Sequence, residues 1–76
     1  MSNPAVIKLT SGWRLTLTFL AGSAWRADLE DPRGVVIDVS VGRVSADDAV
    51  DATVSHLRGR KLLAEADDLR RRWARR

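Results

Sequence analysis

Val35 to Leu57, VVIDVSVGRVSADDAVDATVSHL, is the stretch on which the fold turns. Val35, Ile37, Val39 and Val41 alternate with Val36, Asp38 and Ser40, which predicts a strand with one β-branched apolar face. Gly42 and Arg43 break that strand. Ser45 then stands where a helix N-cap belongs, and Asp48 three residues later completes a capping box. Asp47 and Asp48 fall in the first turn, where the helix dipole favours negative charge. Ala46, Val50, Thr53, Val54 and Leu57 share one helical face, with Asp48, Asp51 and Ser55 elsewhere. Strand and helix thus each have an apolar side to cover, and the rest of the chain is read as the cover.

Upstream, Trp13, Leu15, Leu17 and Phe19 alternate with Arg14, Thr16 and Thr18, a half-buried strand over residues 13–20. Trp25, Ala27 and Leu29 alternate with Arg26, Asp28 and Glu30, a second strand over 25–30. Asp31-Pro32-Arg33-Gly34 between it and the strand at 35–41 is a turn: Asp suits the first position, Pro presets the second and Gly suits the last. It predicts a hairpin with a Gly bulge. Residues 6–10 alternate weakly and end at a Ser11-Gly12 turn, so a fourth strand at the sheet edge is favoured over the start of one long bent strand. The predicted inner face holds Trp13 and Trp25, whose indole N–H groups need acceptors, so one of them belongs at a rim or an interface. The predicted outer face shows Arg14, Thr16, Thr18, Arg26, Asp28, Asp38 and Ser40.

The first helix is expected over 46–58 with Gly59 as the left-handed residue after it, although one helix running on to the end costs only about 1 kcal/mol at that Gly. Residues 61–76 read as a second helix. Leu62, Ala66, Leu69 and Trp73 form a narrow stripe on it, and Asp67 with Arg71 and Asp68 with Arg72 are acid-before-base pairs. Such a stripe suits a helix lying across something or a coiled-coil-like contact with its twin. The expected architecture is α+β: a three-stranded antiparallel meander, four-stranded if residues 6–10 join it, packed on one helix. Residues 1–58 make that domain, and residues 60–76 a basic amphipathic C-terminal helix.

Seventy-six residues make one small domain with a marginal core. With no Cys and one His, disulfides and thiolate or zinc-cluster sites are not expected, and no cofactor is expected either. Association is the remaining remedy, so a homodimer or a complex with a larger protein is expected. The chain shows no export signal and no apolar run long enough to span a bilayer, so a cytoplasmic setting is expected. Arg far outnumbers Lys beside frequent Ala, Val and Asp, a bias typical of GC-rich coding DNA.

The net charge of +3 is unevenly spread: residues 28–57 carry seven acids against Arg33 and Arg43, and residues 58–76 carry eight bases against Glu65, Asp67 and Asp68. An acidic middle and a basic end attract each other within or between chains. The candidate contact residues are Arg58, Arg60, Lys61, Leu62, Leu69, Arg70, Arg71, Arg72, Trp73, Arg75 and Arg76. Arginines grip phosphates and an aromatic ring stacks on a base, so the Arg70–Arg76 end is a candidate for RNA or single-stranded DNA. The plainer reading comes first: bases at a helix C-terminus suit the dipole, and Trp73 continues the apolar stripe. An acidic protein surface or a membrane surface is a third reading.

No catalytic constellation stands out. His56 is expected as a half-exposed boundary residue, with Asp48 and Asp51 elsewhere on the wheel. Asp28 and Asp38 fall near each other across the hairpin, where two carboxylates could hold Mg²⁺, but cross-strand pairing with Arg14 and Arg26 is the stronger expectation. The pieces Trp25-Arg26-Ala27, Pro32, Gly34, Gly42 and Asp47-Asp48-Ala49 follow one another as in HicB-type antitoxins, which the run from Trp25 to Leu57 resembles, though Gly34 and Gly42 stand further apart here. The resemblance implies only that a strands-then-helix module of this size can be a regulatory binder. The expected function is a small non-enzymatic binding or regulatory protein of the phage, plasmid or toxin–antitoxin kind, acting through protein contacts. A nucleic-acid binder is the second expectation and an architectural subunit of a larger assembly the third.

Overall fold

The structure, a computed structural model, describes residues 4–75. It contains four strands, β1 (Ala5–Lys8), β2 (Arg14–Leu20), β3 (Ala24–Glu30) and β4 (Val36–Arg43), followed by helices α1 (Ala46–Gly59) and α2 (Leu63–Ala74). All neighbours pair antiparallel in the order β1-β2-β3-β4, so the sheet is a meander that includes the short N-terminal strand, and β1 and β4 are its edges.

The local signals explain the connections. The Leu9–Trp13 turn closes through Leu9 N–H on the Trp13 carbonyl at 2.8 Å. In the β3–β4 hairpin, Gly34 N–H donates to the Asp31 carbonyl and Asp31 N–H to the Val35 carbonyl, both at 2.9 Å. Gly34 sits at φ 85°, completing the three-residue turn with its left-handed residue. The Asp31 carboxylate accepts from the backbone N–H groups of Arg33 and Val35 and from the Arg33 guanidinium, which together pull its pKa below the usual carboxylate range, the guanidinium most of all. At the start of α1, Ser45 Oγ accepts from Asp48 N–H at 3.0 Å, as the capping box requires, while the Asp48 carboxylate reaches back to Val44 N–H at 3.4 Å.

One core lies between the sheet and both helices. The sheet gives Leu15, Leu17, Ala27 and Leu29, with Leu9 from the turn. Helix α1 gives Ala49, Val50, Val54 and Leu57, and α2 gives Ala66 and Leu69. Thr53 is buried among them, its hydroxyl donating to the Ala49 carbonyl. Trp13, Trp25, Leu62 and Trp73 pack around the margin, half-buried. Phe19, expected inside, is 46 % exposed. It belongs to the row Phe19–Trp25–Arg43 beside the β2–β3 turn, and meets Trp25 edge-on with ring centroids 5.1 Å apart.

The strand at the centre of the sequence reading has the opposite facing from the one its alternation implies. Val36 pairs with Glu30, but Asp38, not Ile37, pairs with Leu29, so Ile37 is an extra residue in β4. A bulge of this kind shifts every following side chain to the other face. Asp38 and Ser40 therefore lie on the helix side, opposite Leu29 and Ala27, while Val39 lies on the open face opposite Asp28. Val36, Val39 and Val41 are 49 %, 45 % and 60 % exposed. A second irregularity sets Val41 and Gly42 against Arg26 alone and returns Arg43 to the helix side opposite Trp25. Asp28 and Asp38 consequently stand on opposite faces and do not form the carboxylate pair considered for Mg²⁺.

The end of α1 also departs from expectation. Gly59 lies inside the helix, and Lys61 adopts the left-handed conformation at φ 63°. Leu62 N–H bonds to the Leu57 carbonyl and Lys61 N–H to the Arg58 carbonyl, each at 2.9 Å, a Schellman motif. The reason is apolar: this stop brings Leu62 against Leu57, whereas a stop at Gly59 would have paired Arg60 with Ser55 in the same two places. Lysine is a costly residue at a left-handed position. Lys61→Gly should therefore stabilise the fold by about 1 kcal/mol, read as a higher urea midpoint at unchanged slope.

Candidate interaction surfaces

The candidate residues of the C-terminal segment are not one surface. Leu69 is fully buried and Leu62 half-buried, so the apolar stripe is core-facing and Leu69 is unavailable to a partner. Trp73 packs at the core margin, and its indole N–H donates to Asp47 Oδ1 at 2.6 Å. Arg70 lies 3.7 Å from Asp51, so acids of α1 and bases of α2 do meet within one chain. Arg72 donates through Nε to Asp68 at 2.9 Å and through a terminal nitrogen to Thr10 Oγ1 at 2.7 Å. Arg71 reaches Asp68 at 3.5 Å, so its carboxylate is Asp68 and not the expected Asp67. Arg58, Arg60, Lys61 and Arg75 are exposed and make no ion pair among the described residues. Arg76 lies outside the described residues.

Asp68 holds this corner together. Its carboxylate accepts from Thr10 N–H at 2.8 Å as well as from Arg72, joining α2 to the turn after β1. Thr10's backbone N–H contributes most to holding the Asp68 carboxyl below the usual carboxylate range; burial opposes it and Arg72 assists it. Beside this clasp, between β1 and α2, runs an open groove of about 660 Å³ bounded by Val6, Ile7 and Lys8 on one wall and Asp68, Arg71, Arg72 and Arg75 on the other.

The opposite face of the sheet carries no helix among the described residues. Its rows read Lys8–Arg14–Glu30–Val36 and Val6–Thr16–Asp28–Val39 across the four strands. The charges on the two central strands of this face are paired in place, Arg14 with Glu30 at 2.7 Å and Asp28 with Arg26 of the next row at 3.1 Å. What remains open along β4 is Val36, Val39 and Val41, with Val44 beyond them. Neither the groove nor the valine face was visible in the sequence. The groove depends on β1 meeting α2 across nearly the whole chain, and the valine face depends on a one-residue bulge.

His56 stands 3.7 Å from Asp38 through Nδ1, a neighbour that the β4 bulge supplies, and its Nε2 is buried with no partner among the described residues. Among the described residues no group of three or more His, Asp or Glu side chains is placed to hold a metal ion, and no helix is long and apolar enough to cross a membrane. Comparison with family models, curated proteins and solved structures gave no match for this chain, so the resemblance to HicB-type antitoxins gains no support there.

Proposed function

We propose that this chain is a small non-enzymatic binding protein of regulatory type that acts through protein–protein contacts, and that it works as a homodimer. The observation that carries the reading is the open face of β4, where Val36, Val39 and Val41 are exposed together on a sheet whose helices all lie on the other side. Three neighbouring valines on an open sheet face make a patch of the kind that marks an interaction site. A second copy is the occupant best matched to it. The charges beside the valines are neutralised within the face, Arg14 by Glu30 and Arg26 by Asp28, and Lys8 stands on the far edge strand, so two copies meet valine to valine without like-charge repulsion at the contact. The small core gives the same chain a reason to associate.

Sedimentation velocity over a range of concentrations tests this. The parent chain should sediment as a dimer at tens of micromolar, on the order typical of modest apolar interfaces. Val39→Lys should sediment as a monomer with an unchanged far-UV spectrum. A parent chain that stays monomeric throughout, or a Val39→Lys chain that stays dimeric, sinks the β4 interface.

A nucleic-acid reading draws on Arg58, Arg60 and Lys61 at the α1–α2 turn, exposed and without an ion pair among the described residues. It ranks second because Trp73, the ring on that segment that would stack on a base, is engaged with Asp47 and the core margin.

A further inference from the structure

The groove between β1 and α2 has two properties that together select a ligand. The first is a bare strand edge. β1 pairs with β2 on one side, and among the described residues no strand pairs with its other side. Its register with β2 is regular from Ala5 to Lys8, with none of the bulges that interrupt β4. Bulges spoil an edge for strand addition and a regular register leaves it usable, so β1 is the better template of the two edges.

The second property is charge. Lys8, Arg71, Arg72 and Arg75 line the groove, with Asp68 the one carboxylate among the described residues that line it. Arg72 and Asp68 satisfy each other and Thr10. Lys8 and Arg75 make no ion pair among the described residues, and Arg71 touches Asp68 only at 3.5 Å. The groove therefore keeps a net positive field over a row of backbone donors and acceptors.

We propose that this groove takes an extended acidic peptide segment of a partner protein, which adds to β1 as a further strand and sets alternate carboxylates against Arg71 and Arg75. Strand addition supplies affinity through the main chain, and side chains at every second position supply selectivity. A nucleic acid would use the cations but leave the β1 backbone groups and the Val6 and Ile7 walls unmatched. A second copy of this chain is a poor donor, because the acids Asp28 and Glu30 lie in a strand already paired on both sides and β4 carries only Asp38. The proposal rests on the reading of the chain as a protein binder but not on its dimer.

Fluorescence anisotropy of a labelled ten-residue peptide of alternating Glu and Val, titrated with the intact chain, tests the site. Saturable binding is expected. It should weaken about tenfold or more in the triple variant Lys8→Gln/Arg71→Gln/Arg75→Gln, all three exposed residues whose loss spares the core. It should weaken at least as much when alternate peptide nitrogens are methylated, because methylation removes the donors that strand addition needs. Absence of saturable binding overturns the proposal. So does binding indifferent to methylation, which would be electrostatic attraction alone. Binding of a ten-residue oligo-dT as tight as that of the peptide, and lost in the same triple variant, would hand the groove to nucleic acid instead. Sedimentation of the same samples separates any of these failures from a failure of the β4 dimer.

Discussion

Leu69→Ala should take away a large share of the chain's stability at room temperature. Leu69 is fully buried on α2, in one core with Leu57 and Val54 of α1 and Leu15 and Leu17 of the sheet. Truncating a leucine in such a place costs about 2–5 kcal/mol, the lost transfer energy plus the cavity left behind. A domain of this length has roughly 4–11 kcal/mol of total stability at the usual rate per residue. The substitution thus removes about half of what holds the fold, and urea unfolding should show the midpoint falling by a corresponding fraction. Leu63→Ala is the control: its side chain, at the start of the same helix, is 60 % exposed, and its effect should stay within about 0.5 kcal/mol. The contrast decides what α2 is. If the basic helix were an appendage presenting Leu69 to a partner, both substitutions would leave the midpoint where it was. Equal midpoints would therefore mean that α2 does not close the core.

The elements were legible because each is fixed by neighbours in the chain. Strict alternation from Trp13 to Phe19 can only be a half-buried strand, Asp31-Pro32-Arg33-Gly34 can hardly be anything but a turn, and Ser45 with Asp48 announces a helix start. Facing and placement were less legible, for different reasons. Alternation alone does not say which phase of β4 faces the helices, and a single extra residue at Ile37 turned Val39 outward to join Val36 on the open face. What that phase gains is visible: Asp38 comes beside His56, and Ser40 Oγ accepts from Arg43 Nε at 2.6 Å. The helix stop moved from Gly59 to Lys61 because an apolar contact between Leu57 and Leu62 outweighed glycine's ease in a left-handed conformation. In the candidate site the arginines were readable as charges but not as partners. Arg72 finds Asp68, as its spacing implies, yet also Thr10, 62 residues away, and no local pattern announces that meeting.

That meeting makes Asp68→Ala the second large effect. Asp68 is 8 % exposed and accepts from Thr10 N–H, Arg72 and, more weakly, Arg71. Removing the carboxylate strands the Thr10 N–H and frees the guanidinium, and hydrogen bonds to a charged group of this kind contribute about 1.5–3 kcal/mol. Asp68→Asn keeps the shape and loses the charge, so it should fall between the parent and the alanine variant. Acid separates the charge from the shape. The folded chain holds the Asp68 carboxyl below its unfolded value, so the folded state prefers the ionised form. The stabilisation is present in full above the unfolded pKa and is lost as pH falls through it toward the folded pKa; Asp31, lowered chiefly by Arg33, acts in the same direction. Parent stability should thus decline as pH drops below the usual carboxylate range, and the decline should be shallower in Asp68→Asn, which has no proton to take up there. If the two chains lose stability in parallel, the linkage belongs to Asp31 and other acids. The clasp between Thr10 and α2 would then hold through its geometry, with the charge on Asp68 contributing nothing to it.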